Sequence, residues 1–148
     1  MYDALMRQAL DVALTAADSD DVPVGAIVVD ADGKVIGTGR NTRERDADPT
    51  GHAEIVAIRE ATAARGEWRL EGCTLVVTLE PCLMCAGAVL QSRISRLVFG
   101  AWDDKAGAAG SVYDVVRDRR LPYRAEVVAG VRESEAAALL RAFFDDRR

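Results

Sequence analysis

Residues 74–91 read TLVVTLEPCLMCAGAVLQ, and the fold follows from this stretch. Residues 74–79 are β-branched or aliphatic throughout, which predicts a short strand, and Pro81 stops it. Residues 82–91 then predict a helix of small and apolar residues, expected to be buried on several sides. Working outward, residues 96–100 predict another strand, and residues 52–64 a helix with Ile55, Val56 and Ala57 among its first apolar positions. A polar loop at 41–51 separates that helix from two strand-like runs, 24–29 and 34–39, joined by a hairpin turn at Asp30-Ala31-Asp32-Gly33. Tyr2, Leu5, Met6, Ala9, Leu10, Ala13 and Leu14 recur at helical spacing and predict an amphipathic helix over residues 2–17. On the other side, a Gly/Ala loop at 105–111 leads to an expected short helix at 112–117, a fifth strand at 124–129 and a terminal helix at 134–144. The order α-β-β-α-β-α-β-(α)-β-α implies a three-layer α/β/α domain. Its five-stranded mixed sheet is expected to be mostly parallel, with the opening hairpin adding an antiparallel pair.

Composition sets the bounds. A chain of 148 residues suits one domain, here residues 1–148, and 49% hydrophobic with 29% charged residues supports a packed core. No apolar run approaches the roughly 20 residues that span a bilayer. The amphipathic start, with Asp3 ahead of any basic residue, is unlike a secretion signal. A soluble, cytoplasmic protein is expected. The net charge of −5 argues against sequence-blind coating of nucleic acid, which depends on neutralising phosphates. Three cysteines are an odd number and a poor disulfide framework, and there is a single histidine.

That histidine stands in His52-Ala53-Glu54, and two of the cysteines in Pro81-Cys82-Leu83-Met84-Cys85. Cysteines at i and i+3 share a helix face, so both sulfurs can reach one ion. Alone, CxxC is open between a redox pair and half a metal site. With His52 it becomes a nitrogen-and-two-sulfur set of the right softness for zinc, and three protein ligands leave a fourth tetrahedral position open, as a catalytic site requires. A closed structural site would need a fourth ligand. Cys73 is the only cysteine left, and it reads as a small core residue. Glu54 lies about 200° around the helix from His52, but in a first turn both side chains can lean over the helix end. A carboxylate held there, off the metal, suits a general acid/base.

The H-A-E and P-C-x-x-C pair is the signature of zinc-dependent nucleobase deaminases. Pro23-Val24-Gly25-Ala26, Asp48-Pro49-Thr50, Thr78-Leu79-Glu80, Ala86-Gly87-Ala88, Ser92-Arg93-Ile94 and Gly107-Ala108-Ala109-Gly110-Ser111 extend the match over most of the chain. Together they resemble the bacterial tRNA-specific adenosine deaminases of the cytidine deaminase superfamily. The resemblance implies a cytidine deaminase-like fold, one zinc ion per subunit on His52, Cys82 and Cys85, and conversion of adenosine to inosine at the wobble position of a tRNA, typically an arginine tRNA. It implies that Glu54 protonates N1 of adenine and carries a second proton to the departing ammonia. It also implies contacts from Asn41 to the nucleoside, from the Ala53 backbone to the base and from Asp103 to the nucleotide, with Lys105 a candidate phosphate contact. A homodimer that binds the anticodon stem-loop is the implied assembly.

Three departures stand out. Gly51 replaces the alanine common before the histidine, Trp102 stands where the family often has a smaller or basic residue, and only four residues follow Phe144. RNA binding is therefore expected without the long basic tail of some relatives. Phe143 is expected to pack onto the sheet, while Phe144 is the candidate for stacking a neighbouring base. Arginines at 40, 43 and 45, and at 117, 119, 120 and 124, read equally well as basic patches or as solvated faces. The alternative within enzymes is a deaminase of a free base or nucleoside such as guanine, cytosine or cytidine. The alternative outside enzymes is a zinc-stabilised binding module without turnover.

Overall fold

A computed structural model describes residues 2–147. Its helices are α1 (Tyr2–Leu14), α2 (Arg43–Asp46), α3 (Ala53–Arg65), α4 (Leu83–Gln91) and α5 (Glu133–Asp145), with a 3₁₀ segment at Thr15–Ser19. Its strands are β1 (Gly25–Val29), β2 (Val35–Arg40), β3 (Thr74–Leu79), β4 (Arg96–Ala101) and β5 (Glu126–Val128). They form one sheet in the order β2-β1-β3-β4-β5. β1 runs antiparallel to both β2 and β3, whereas β3, β4 and β5 are parallel; the sheet is five-stranded and mixed as expected, but it is not mostly parallel, because β3 pairs with β1 rather than with β2.

Strand periodicity divides the core into two layers. Val28, Leu75, Val77, Leu97 and Phe99 pack toward Ala57 and Ala61 of α3 and Ala86 and Val89 of α4. Ile27, Val29, Val76 and Val98 face the other way, against Met6, Ala9 and Leu10 of α1 and Ala136 of α5. Helix α3 lies unusually close to β2. A Cβ added at Gly39 would sit 2.3 Å from the Ala53 carbonyl oxygen, and one at Gly37 2.4 Å from that of Ala57. These two glycines therefore let the start of α3 rest on the sheet backbone, and that contact fixes where His52 and Glu54 emerge.

Four further expectations are corrected. The first helix ends at Leu14, and residues 15–19 tighten into a 3₁₀ turn that closes on Asp20 in the left-handed region. Residues 112–117 form no helix. An isolated bridge pairs Ala109 with Asp114. Val112 and Tyr113 donate to the Gly107 carbonyl and Val115 to that of Ala108, so the backbone there is already committed. Helix α4 is covered on one side only: Cys85, Ala86, Val89 and Leu90 are buried, while Leu83 and Met84 are exposed.

The fourth correction is α2, a four-residue helix inside the expected loop. Its sequence, Arg-Glu-Arg-Asp, has no apolar face, so periodicity carries no signal. Its first N–H groups are instead capped from outside: Arg43 donates to Asn41 Oδ1 at 3.1 Å, and Glu44 and Arg45 donate to the two Asp21 oxygens at 2.6 and 3.2 Å. Burial pushes the Asp21 carboxyl up. Hydrogen bonds from the Ser19 hydroxyl and those two N–H groups, with Arg40 nearby, more than offset burial and hold it below the usual carboxylate range.

Candidate active site

The site forms where the parallel strands end, as open α/β sheets favour. β3 delivers Glu80, Pro81 and Cys82, and β4 delivers the loop that starts at Trp102. His52 and Cys82 occupy the N-cap positions of α3 and α4, both with extended backbone. Their side chains face one another across the helix starts. The His52 Nδ1 lies 3.5 Å from the Cys82 sulfur and 3.5 Å from the Cys85 sulfur, and the three donor atoms all fall within 4.8 Å of one another. Tetrahedral zinc with bonds of about 2.3 Å to sulfur and about 2.0–2.1 Å to nitrogen separates those atoms by about 3.6 Å. The trio fits zinc in chemistry and in spacing. Cys73, buried just before β3, accepts from Arg65 Nη1 at 2.8 Å and is no part of the group.

A hydrogen bond from Cys85 holds the Cys82 thiol down at about 4 against the cost of burial, with His52 adding to the effect. Cys85 is pushed far above the ordinary thiol range because its S–H serves Cys82 and because it is buried. The His52 imidazole is raised, chiefly by its hydrogen bond to Cys82.

Glu54, in the first turn of α3, is 4% exposed. Burial raises its carboxyl to about 7, opposed by its own backbone N–H and by the charge on His52. It lines the same cleft as His52 and Cys82, so the two first-turn side chains do converge over the helix end. The cleft measures about 560 Å³, within the size range of small-ligand sites.

The other expected site residues line that cleft as well. Ala53 is fully buried at its floor. Asn41 is 8% exposed and spends its carbonyl on Arg43, so its amide N–H groups have no protein acceptor among the described residues. Asp103 uses Oδ1 to accept the N–H groups of Lys105 and Ala106, each at 3.1 Å. Lys105 is exposed on the rim, and Arg43 joins it there. Phe144, 51% exposed, lines the cleft from α5, whereas Phe143 is only half-buried and packs edge-on against Phe144 with Arg147 stacked on its ring. The expected packing of Phe143 onto the sheet is thus incomplete. Several of the arginines expected as patches are neutralised locally: Arg45 pairs with Asp46, Arg117 with Asp114 and Arg120 with Asp118. At Gly51, an added Cβ would lie 2.7 Å from the Thr42 hydroxyl, a close contact that glycine avoids.

Glu80 is the residue that sequence reasoning passed over. It is 2% exposed, and its carboxylate accepts the N–H groups of Asp103, Ala109 and Ser111, each at 3.0 Å, together with the Ser111 hydroxyl. A Cβ at Gly107 would lie 2.3 Å from the Glu80 carboxyl, so the loop can wrap it only with glycine there. One buried side chain thereby sets the path of residues 103–111. Its partners lie 23–31 residues downstream, beyond any local spacing rule. Glu80→Gln offers one strong acceptor in place of two, and each orphaned buried N–H costs about 1–3 kcal/mol. We expect it to lower unfolding free energy by about 2–4 kcal/mol and to raise KM while metal content is unchanged. Denaturant unfolding with parallel kinetics checks this, and an unaltered midpoint would show that the loop holds its path without Glu80.

Residues 1–101 match the family model described as the cytidine and deoxycytidylate deaminase zinc-binding region. The tRNA-specific adenosine deaminase of Bacillus subtilis is 46% identical over 143 residues, covering 97% of this chain and 88% of that protein. The tRNA(Ile)-lysidine synthase of Deinococcus radiodurans is 52% identical over 145 residues, and this chain spans only 25% of its length. A solved structure from a study of A-to-I editing by tRNA:A34 deaminases at the wobble position of transfer RNA superimposes with a TM-score of 0.87. It is 44% identical, with 91% of this chain and 97% of that one covered.

Proposed function

This chain belongs to the cytidine and deoxycytidylate deaminase zinc-binding family, and from that premise we propose that it hydrolyses adenosine to inosine at the wobble position of a tRNA, with an arginine tRNA as its substrate. The observation that carries the reading is a buried carboxyl, Glu54, poised near neutrality in one cleft with His52 and Cys82, which join Cys85 in the three-residue donor set. Zinc held by those three side chains supplies the Lewis acidity that makes water a nucleophile at neutral pH.

The chain's own groups do the rest. Glu54 takes a proton from the attacking water and delivers it to N1 of adenine, which makes C6 electrophilic. It then carries a second proton to the exocyclic amine, so that water enters and ammonia leaves. A group with its pKa near the working pH does both tasks well. Asn41 offers unpaired amide N–H groups to the nucleoside, and Asp103 and Lys105 meet the nucleotide at the rim, with Lys105 and Arg43 placed to face phosphates. Single-stranded loops present their bases more cheaply than duplexes do. The same reading brings a homodimer, for which the exposed Leu83 and Met84 on α4 offer apolar contact, and a cytoplasmic location. Among the described residues no helix is long and apolar enough to cross a membrane.

The test runs an arginine-tRNA anticodon stem-loop beside free adenosine, guanine and cytosine on one zinc-loaded sample. Inosine at the wobble position with the free compounds unchanged is the expected result. Turnover of a free base with an untouched stem-loop would overturn the reading in favour of a small-molecule deaminase.

A further inference from the structure

We propose that Trp102 is a stacking platform for a base that flanks the reacting nucleotide, so that the cleft is built for a single strand that continues past its mouth. The inference rests on the deaminase reading above and adds a residue that sets how the strand leaves the site. Trp102 lines the same cleft as His52, Glu54 and Cys82, yet it is 42% exposed, whereas the ring it packs against, Phe99, is fully buried. The two rings meet edge to face, with centroids 4.9 Å apart and planes at 87°. At the benzo end of the indole the chain passes as Gly110, with φ +143°; a Cβ there would lie 2.9 Å from Trp102 Cζ3. The indole is therefore clamped at one end while much of its surface stays open to the cleft mouth.

Its backbone is equally fixed. Trp102 follows the last residue of β4, and the next N–H, that of Asp103, is held by Glu80. An aromatic ring fixed in this way loses little conformational freedom when a base lands on it. Base–aromatic stacking tolerates any base, because every base has a π-face, and it suits unpaired strands in particular. Lys105 and Arg43 on the same rim are placed for the phosphates of such a strand. A free nucleobase seated against Glu54 would leave this rim unused. The other tryptophan, Trp68, is also exposed, but Arg69 and Arg93 cover its ring at 4.4 and 5.2 Å, and it lines a different pocket.

Fluorescence reads the platform directly, because the chain has two tryptophans and Trp68→Phe leaves Trp102 as the only one. In zinc-loaded Trp68→Phe/Glu54→Gln protein, an anticodon stem-loop is expected to quench Trp102 emission saturably, in parallel with the anisotropy of a labelled loop. Binding that leaves the emission unchanged would overturn the proposal. For turnover, Trp102→Leu keeps an apolar cover over Phe99 but removes the stacking face. It is expected to raise KM for the stem-loop about 5- to 100-fold with kcat little changed, while Trp102→Phe stays close to wild type. The penalty should vanish on a stem-loop made abasic at the stacked flanking position. A Trp102→Leu protein equal to wild type on the intact loop, or a penalty that persists at every abasic position, sinks the platform and leaves the deaminase reading standing. A wild-type protein that turns over no stem-loop at all overturns both.

Discussion

Glu54→Gln is expected to lower deamination by about 10²- to 10⁴-fold while the protein keeps its metal and its fold. The substitution is nearly isosteric at a position that is 4% exposed, so packing against Ala53 and the helix start is preserved. An amide there can still donate a hydrogen bond, but it cannot accept a proton from water and pass it on. Stability should hold or rise slightly, because a neutral amide costs less to bury than a carboxyl that ionises near pH 7. Bulk metal analysis, thermal unfolding and single-turnover kinetics on one preparation make the comparison. Activity that survives the substitution would remove Glu54 from the chemistry and leave a zinc-stabilised binding module as the better description.

The site lies where short-range rules and long-range contacts meet, and only the first kind can be read from a sequence. His52, Glu54, Cys82 and Cys85 were legible because each set sits within one helical turn, where i, i+2 and i+3 spacing fixes direction. The sheet was legible for a similar reason: runs such as Thr74–Leu79 carry their burial on both faces, and the Asp30–Gly33 turn announces its hairpin. Helix α2 was not, since its caps come from Asp21 and Asn41 rather than from its own sequence. The expected helix at 112–117 failed because its backbone turns back onto the preceding loop, where Val112 and Tyr113 donate to the Gly107 carbonyl and Val115 to that of Ala108. Buried carboxylates that organise a distant loop leave no periodic trace. For the same reason Trp102 could be noticed as a departure, but its clamping by Phe99 and Gly110 could not be foreseen.

Stripping the metal is expected to abolish turnover and to lower thermal stability substantially without unfolding the chain, and zinc should restore both. The donor set joins the start of α3 to the start of α4, two helices on one face of the sheet, so an ion there acts as a cross-link between them. A ligand at about 1,000 times its Kd adds about 4 kcal/mol to the folded state. At about 2–4 °C per kcal/mol that corresponds to about 8–16 °C in Tm. The fold should survive because two apolar layers pack independently of the site, unlike a zinc finger, which has no core of its own. Acid should weaken uptake. Cys85 and His52 both hold their protons more tightly than usual, so an ion must displace those protons, and each falls in pH makes that harder. Cys82→Ser and Cys85→Ser should mimic the stripped protein and resist rescue by zinc. The checks are Tm and turnover after dialysis against a chelator, then zinc competition with an indicator across pH 6–8. Turnover that persists in protein shown to be metal-free would overturn the zinc-dependent mechanism, and uptake indifferent to pH would show that the trio binds without giving up protons.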